Sequence, residues 1–136
     1  MNCFIKLLPF YLRNRNGAPT NTSFEAGEIA IRVAGSLSQS TVVVTGRVTV
    51  ESSPYMRTAL LELLHRGEEQ AVVVDLSGVS YLDMSGLATL LEALKAARQR
   101  SKILRVVGLT GQSRMLAEIA ELDKVFRSAD SEVEYR

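Results

Sequence analysis

Ser85 is the residue of this chain whose surroundings invite chemistry. It lies in "VSYLDMSGLATLL", Val79 to Leu91, where an apolar strand gives way to a helical stripe. The join reads Asp83-Met84-Ser85-Gly86, a carboxylate two residues before a hydroxyl and a glycine inside the first helical turn. Glycine costs a helix interior about 1 kcal/mol relative to alanine, so helix stability does not explain it. In one reading Asp83 and Ser85 only supply capping oxygens. In the other, Ser85 is a modification site. A phosphate there would meet the positive end of the helix dipole and unpaired N–H groups. It would add nearly two negative charges to a neutral surface, and Gly86 would let a partner approach the backbone. Spacing and composition leave both readings open.

Other chemistries meet specific obstacles. A hydrolase nucleophile elbow needs glycines two residues before and two after the serine, and those positions are Asp83 and Leu87. The single histidine, His65, falls at the end of a helical stretch, where its ring favours the helix dipole. "GLTGQS", Gly108 to Ser113, has two glycines between a strand and a helix but lacks the Gly-Lys-Ser/Thr ending of a phosphate-binding loop. It reads as a connection with Thr110 or Ser113 near the cap. One His and one Cys far apart do not make a zinc site, and Asp75 and Asp83 alone are a thin basis for a divalent cation. No cofactor or metal is expected, and no catalytic pair is visible.

The elements around Ser85 follow from periodicity and punctuation. "EIAIRVA" alternates Ile29, Ile31 and Val33 with other residues, the period of a half-buried strand. "TVVVTGRVTV" is β-branched, with Gly46 suggesting a bulge or close backbone approach. "SSPYMRTALLELLHRG" predicts a helix with Ser53 as N-cap, Pro54 at its first position and Gly67 as a left-handed stop. Its apolar face is Leu60, Leu61, Leu64 and Met56 or Ala59. "AVVVDLS" predicts a short central strand covered on both faces. From Met84 to about Gln99, Leu87, Leu90, Leu91 and Leu94 make a helical stripe. "KILRVVGL" predicts another strand, and "SRMLAEIAEL" a third helix with Met115, Leu116, Ile119 and Ala120 inward. A last short strand near Val125–Arg127, or a tail, closes the chain. The order β-β-α-β-α-β-α implies right-handed crossovers and a mainly parallel sheet, with Asp83–Gly86 beyond a strand's carboxyl end.

Length and charge bound the rest. The 136 residues suit one domain with a real core. Net charge is +1, and Lys6, Arg13 and Arg15 precede the first acid, Glu25, so the remainder stands at −2. Nucleic-acid binding is therefore not expected. Cys3 is the only cysteine, which excludes an intrachain disulfide and suits a cytoplasmic setting. "FIKLLPFYL", Phe4 to Leu12, is too short to span a bilayer and contains Pro9, so no membrane insertion is expected. Residues 13–23 read as a linker. The organisation expected is a flexible arm over 1–23 and a domain over 24–136.

"VVVDLSGVSYLDMSGLATLLEAL", Val72 to Leu94, closely resembles the signature of STAS-domain proteins, specifically bacterial anti-sigma-factor antagonists. The family pattern is an apolar strand, Asp-Leu-Ser, a short apolar loop, then Asp-Ser-Ser/Thr-Gly-Leu leading into a helix. "VTGRVTVESSPYMRTALLELL" resembles the family's Gly-x-Leu-Asp segment and first helix. "LRVVGLTGQSRMLAEIAELDKVF" is similar to its fourth strand and third helix, so the resemblance spans roughly residues 24–127. It implies a single STAS-like α/β domain, a mainly parallel mixed sheet of four or five strands with three helices.

The resemblance also implies a function and partners. In the family, the Ser or Thr before the motif glycine is phosphorylated by an anti-sigma factor that is itself a serine kinase. The unphosphorylated antagonist binds that factor and frees the sigma factor for transcription. A metal-dependent serine/threonine phosphatase restores it. The corresponding residue here is Ser85, and the implied partner-binding surface comprises Thr49, Ser52, Ser53, Ser80, Tyr81, Asp83, Met84, Ser85 and Gly86. Whether the chain forms a homodimer is left open. Two positions depart from the pattern: Met84 replaces the first Ser of the motif pair, and Thr49 stands where the family has an aspartate close to the phosphosite. The alternative is a STAS subunit of an ABC-type lipid transporter, which often lacks a phosphorylatable residue before the motif glycine. An enzyme is the third class, with no catalytic residues to assign.

Overall fold

The structure, a computed structural model, describes residues 20–36 and 38–135, with side chains from 23 onward. Of the arm expected over residues 1–23, residues 1–19, with Cys3 and "FIKLLPFYL", lie outside the described residues. The remaining linker residues, 20–23, belong to the first strand, which runs Thr20–Ala26 (β1). It pairs antiparallel with β2 (Ile29–Gly35), which pairs antiparallel with β3 (Gln39–Val48). Helix α1 (Ser53–Arg66) leads to β4 (Ala71–Leu82), parallel to β3. Then follow α2 (Met84–Gln99), β5 (Ile103–Leu109), α3 (Gly111–Ile119), α4 (Leu122–Arg127) and β6 (Glu132–Tyr135). The six strands stand in sequence order, with β4, β5 and β6 joined in parallel. The α/β, mainly parallel mixed architecture is thus as expected, with more elements than the expected four or five strands and three helices. The segment Val125–Arg127 is helical, and the closing strand comes five residues later.

All four described helices share one buried cluster with the inward residues of the sheet. Met56, Leu60, Leu63 and Leu64 of α1 and Leu87, Leu90 and Leu94 of α2 meet Val42, Val44, Val72, Val74 and Leu104 there, while Leu91 is partly exposed. Val73 is also buried but outside that cluster, and the next residues of its face, Asp75 and Ser77, are half-buried. Within the apolar run, Val72, Val73 and Val74 are thus buried on both faces of the strand, as expected.

β4 is longer than its apolar run. It pairs with β3 through Val48↔Leu82, after register shifts between Val43 and Thr45 and between Gly46 and Arg47. Each shift inserts one extra residue into β4, so its buried positions pass from the even Val74 and Leu76 to the odd Val79 after the first shift and back to the even Leu82 after the second. The broken alternation is why the short strand predicted over "AVVVDLS" falls short of the observed Ala71–Leu82. Gly46 sits at one of these shifts with φ +99°, and a Cβ there would stand 2.1 Å from the Glu28 carbonyl oxygen, as its expected close approach requires.

Three local expectations are corrected. The cap of α1 is Ser52 rather than Ser53, and it makes no side-chain cap bond, because its Oγ is engaged in the preceding turn. Gly67 ends α1 in extended backbone, φ −72°, not in a left-handed stop. In α3, Met115 and Ile119 are 63% and 76% exposed and Ala120 is exposed, while Ser113 and Ala117 are buried and Leu116 is half-buried. Gln112 explains the rotation. Its Oε1 accepts the Leu82 N–H at 2.8 Å and its Nε2 donates to the Leu82 carbonyl at 2.7 Å. This clamp ties the first turn of α3 to the end of β4 and turns positions 113, 116 and 117 inward. Leu122 and Phe126 of α4 fill the core beyond it.

Candidate functional site

The join between β4 and α2 is built around Asp83. Its backbone is extended, and its N–H still bonds the Val48 carbonyl at 3.0 Å, so the residue is held by β3 as the chain turns into the helix. Its Oδ1 accepts the Ser85 N–H at 2.9 Å and the Gly86 N–H at 3.1 Å, which makes Asp83 the N-cap of α2. The Ser85 hydroxyl donates to the same oxygen at 2.5 Å. Oδ2 accepts the Val50 N–H at 3.1 Å, tying the β3–α1 turn to the helix start. Partial burial pushes the Asp83 pKa up, but the hydrogen bonds from the Ser85 hydroxyl and the Gly86, Ser85 and Val50 amides outweigh it. The net shift is downward from the ordinary aspartate value. Asp83 is thus a carboxylate in the folded protein at neutral pH.

This geometry changes two expectations. The first-turn amides of Ser85 and Gly86 are not unpaired, since Asp83 already holds both. A phosphate on Ser85 would therefore compete with a carboxylate for those donors instead of finding them free. Gly86 is buried, and the reason for its missing side chain lies inside the fold. A Cβ at Gly86 would stand 2.4 Å from Leu82 Cδ1 and 2.8 Å from Val48 Cγ1, both on fully buried residues. The glycine lets the first turn of α2 press onto the ends of β3 and β4; it does not open the backbone to a partner.

The remaining expected site residues divide by depth. Ser85 is half-buried and Met84 is 65% exposed. Ser80 is exposed, its Oγ donating to the Gly46 carbonyl at 3.3 Å, and Tyr81 is half-buried with the Arg47 guanidinium 4.5 Å above its ring. Thr49 is half-buried, its hydroxyl donating to the Glu28 carboxylate. Ser52 and Ser53 are buried. Ser52 Oγ accepts the Thr49 N–H at 2.9 Å and donates to the Arg47 carbonyl at 2.7 Å, so it shapes the turn from within. Asp83, Met84 and Ser85 thus come together with the turn 49–52, while Ser80 and Tyr81 lie on the last stretch of β4.

Sequence reasoning missed two contributors. Val50 is 70% exposed beside Asp83, and an isolated valine after a strand carries no signal of that placement. Glu28 reaches Thr49 from the β1–β2 turn, 21 residues away in the chain. It brings a carboxylate beside the position where the family pattern has an aspartate, and it pairs with Arg47 at 3.5 Å. Among the described residues no cluster of His, Cys, Asp and Glu could hold a metal ion, and no helix is long and apolar enough to cross a membrane. A groove of about 440 Å³ along β1–β3, lined by residues such as Glu25, Arg32 and Val43, includes none of Asp83, Met84 and Ser85.

Comparison with known proteins agrees with the fold. The family model described as "Mlab, STAS domain" matches residues 30–128. An anti-sigma-B factor antagonist of Listeria monocytogenes is 31% identical over 93 residues, covering 68% of this chain and 81% of the relative. Among solved structures, an anti-sigma factor antagonist from Mycobacterium paratuberculosis superposes with a TM-score of 0.59 at 22% identity, covering 82% of this chain and 85% of that one. The Bacillus cell fate determinant SpoIIAA in its phosphorylated form gives 0.57 at 8% identity, covering 86% and 91%.

Proposed function

The chain belongs to the STAS-domain family, and we propose that it is an anti-sigma-factor antagonist switched by phosphorylation of Ser85. Unphosphorylated, it binds an anti-sigma factor that is a serine kinase and so releases the sigma factor for transcription. Phosphorylation by that kinase ends the binding, and a serine/threonine phosphatase restores it. The protein acts by binding and is not itself an enzyme.

The observation that carries this reading is the Ser85 hydroxyl donating to Asp83 Oδ1 at the exposed start of α2. Phosphorylation converts that donor into a group of nearly two negative charges with only acceptor oxygens. The phosphate then stands beside a carboxylate. Either it takes the Ser85 and Gly86 amides from Asp83 or it projects into solvent, and in both arrangements a surface suited to a neutral hydroxyl gains charge. A partner docked there must desolvate that charge, which opposes binding by several kcal/mol. The likeness to the Listeria anti-sigma-B factor antagonist supports the antagonist reading.

The test is a pull-down from the native organism comparing wild type with Ser85→Asp, with partners identified by mass spectrometry. The expected result is a kinase-fold anti-sigma factor held by wild type and weakened by about 100-fold or more in Ser85→Asp, equivalent to about 2.7 kcal/mol. A transporter ATPase captured equally by both would instead assign the chain as a STAS subunit of an ABC-type lipid transporter.

A further inference from the structure

Val50 and Met84 are among the most exposed large apolar residues of the described surface, at 70% and 65%, and they flank the same carboxylate. Val50 gives its N–H to Asp83 Oδ2, Met84 follows Asp83 in the chain, and Ser85 gives its hydroxyl to Oδ1. Two exposed apolar residues therefore stand beside the carboxylate that holds the hydroxyl the proposed switch uses. Neither side chain belongs to the core cluster.

Their backbone is nonetheless firmly set. The Val50 turn is held by its own bond to Asp83, by Ser52 Oγ bridging the Thr49 N–H and the Arg47 carbonyl, and by the Glu51 N–H bonding Thr49 Oγ1. Met84 is fixed by the capped first turn of α2. Apolar side chains presented on pre-ordered backbone are effective anchors, because binding need not order the chain that carries them. Of the polar groups nearby, Asp83 and Arg47 are engaged within this molecule, while Glu51 beside Val50 is exposed. Asp83 is occupied by three amides and a hydroxyl, and Arg47 lies over the Tyr81 ring and pairs with Glu28. The surface therefore offers two apolar side chains around an internally satisfied carboxylate, with the charge of Glu51 beside Val50.

We infer that Val50 and Met84 are the anchors by which this chain seats on its anti-sigma factor, which presents an uncharged, apolar socket around Ser85. The inference rests on the function proposed above and names the chemistry of that partner. It gives Met84 a purpose: the departure from the family's serine adds an apolar anchor beside the switch residue. It also gives the phosphate its leverage, since a new charge would lie between two side chains whose contacts exclude water.

The test uses the full chain and the anti-sigma factor captured as above, expressed separately and titrated calorimetrically. The variants are Val50→Ala, Met84→Ala, the double variant, Ser85→Asp and, as an exposed apolar control elsewhere, Met115→Ala. The expected result is a Kd about tenfold weaker for each anchor variant and about 100-fold weaker for the pair, with Met115→Ala unchanged and thermal melts like wild type throughout. Anchor variants that bind as wild type does, while Ser85→Asp fails to bind, would overturn the anchor inference and leave the switch standing. If wild type captures no anti-sigma factor, the proposed function falls and this inference with it.

Discussion

Replacing Gly86 with alanine separates two explanations of the glycine by the sign of the effect. If the position were merely an exposed first-turn site, alanine would stabilise α2 by up to about 1 kcal/mol. The structure predicts the opposite. The new Cβ would lie 2.4 Å from Leu82 Cδ1, 2.8 Å from Val48 Cγ1 and 3.2 Å from Leu82 Cγ. Leu82 could swing its terminal methyl only into filled core, since it is 0% exposed, and Val48 is equally buried and stiff about χ1. Overpacking of this kind costs about 1–3 kcal/mol, and two simultaneous contacts place it in the upper half of that range. Against the helix gain of about 1 kcal/mol, the net loss is about 1–2 kcal/mol. For a chain of this size that lowers Tm by roughly 4–8 °C. Urea unfolding followed by circular dichroism would show a lower midpoint with unchanged slope. A variant as stable as wild type, or more so, would refute the packing argument and return the glycine to the surface.

Asp83→Ala should cost about 1 kcal/mol through loss of the α2 cap. Because the Asp83 pKa is lowered on folding, its charge stabilises the fold at pH above the ordinary aspartate value and ceases to do so as pH falls through the depressed folded value. The stability gap between wild type and Asp83→Asn should therefore narrow on acidification below about pH 4, measured by urea titrations at stepped pH; a constant gap would contradict it. On α3, Met115→Ala and Ile119→Ala should each change stability by less than about 0.5 kcal/mol. Leu87→Ala, buried in the core, should cost about 2–5 kcal/mol. A loss of that size at Ile119 would mean that α3 is rotated from the orientation set by Gln112.

How far the molecule is legible in its sequence depends on the range of the interactions involved. Strand periodicity at Ile29–Val33, the Pro54 helix start and the Leu87–Leu94 stripe are local signals, and each marks an element that forms. The cap at Asp83 is likewise local: a carboxylate two and three residues before the amides it accepts. Signals fail where a distant group decides. Ser52 stands at the cap of α1 without a side-chain capping bond because the Arg47 carbonyl and the Thr49 amide hold its hydroxyl. α3 turns Met115 and Ile119 outward because Gln112 clamps Leu82, 30 residues away. β4 outlasts its apolar run because pairing with β3 continues through two bulges that interrupt its alternation.

The candidate site divides along the same line. Sequence by itself singled out Asp83, Ser85 and Gly86, since their types and spacing at a strand-to-helix join are a one-dimensional pattern, and the family resemblance rests on that pattern. Only the tertiary structure decided that Gly86 faces the core, that the first-turn amides are already occupied, and that Val50 and Glu28 stand at the site. The reason is geometric. Parallel pairing of β3 with β4 brings the turn after one strand beside the end of the other, and nothing in either segment alone encodes which atoms will then lie within hydrogen-bonding distance.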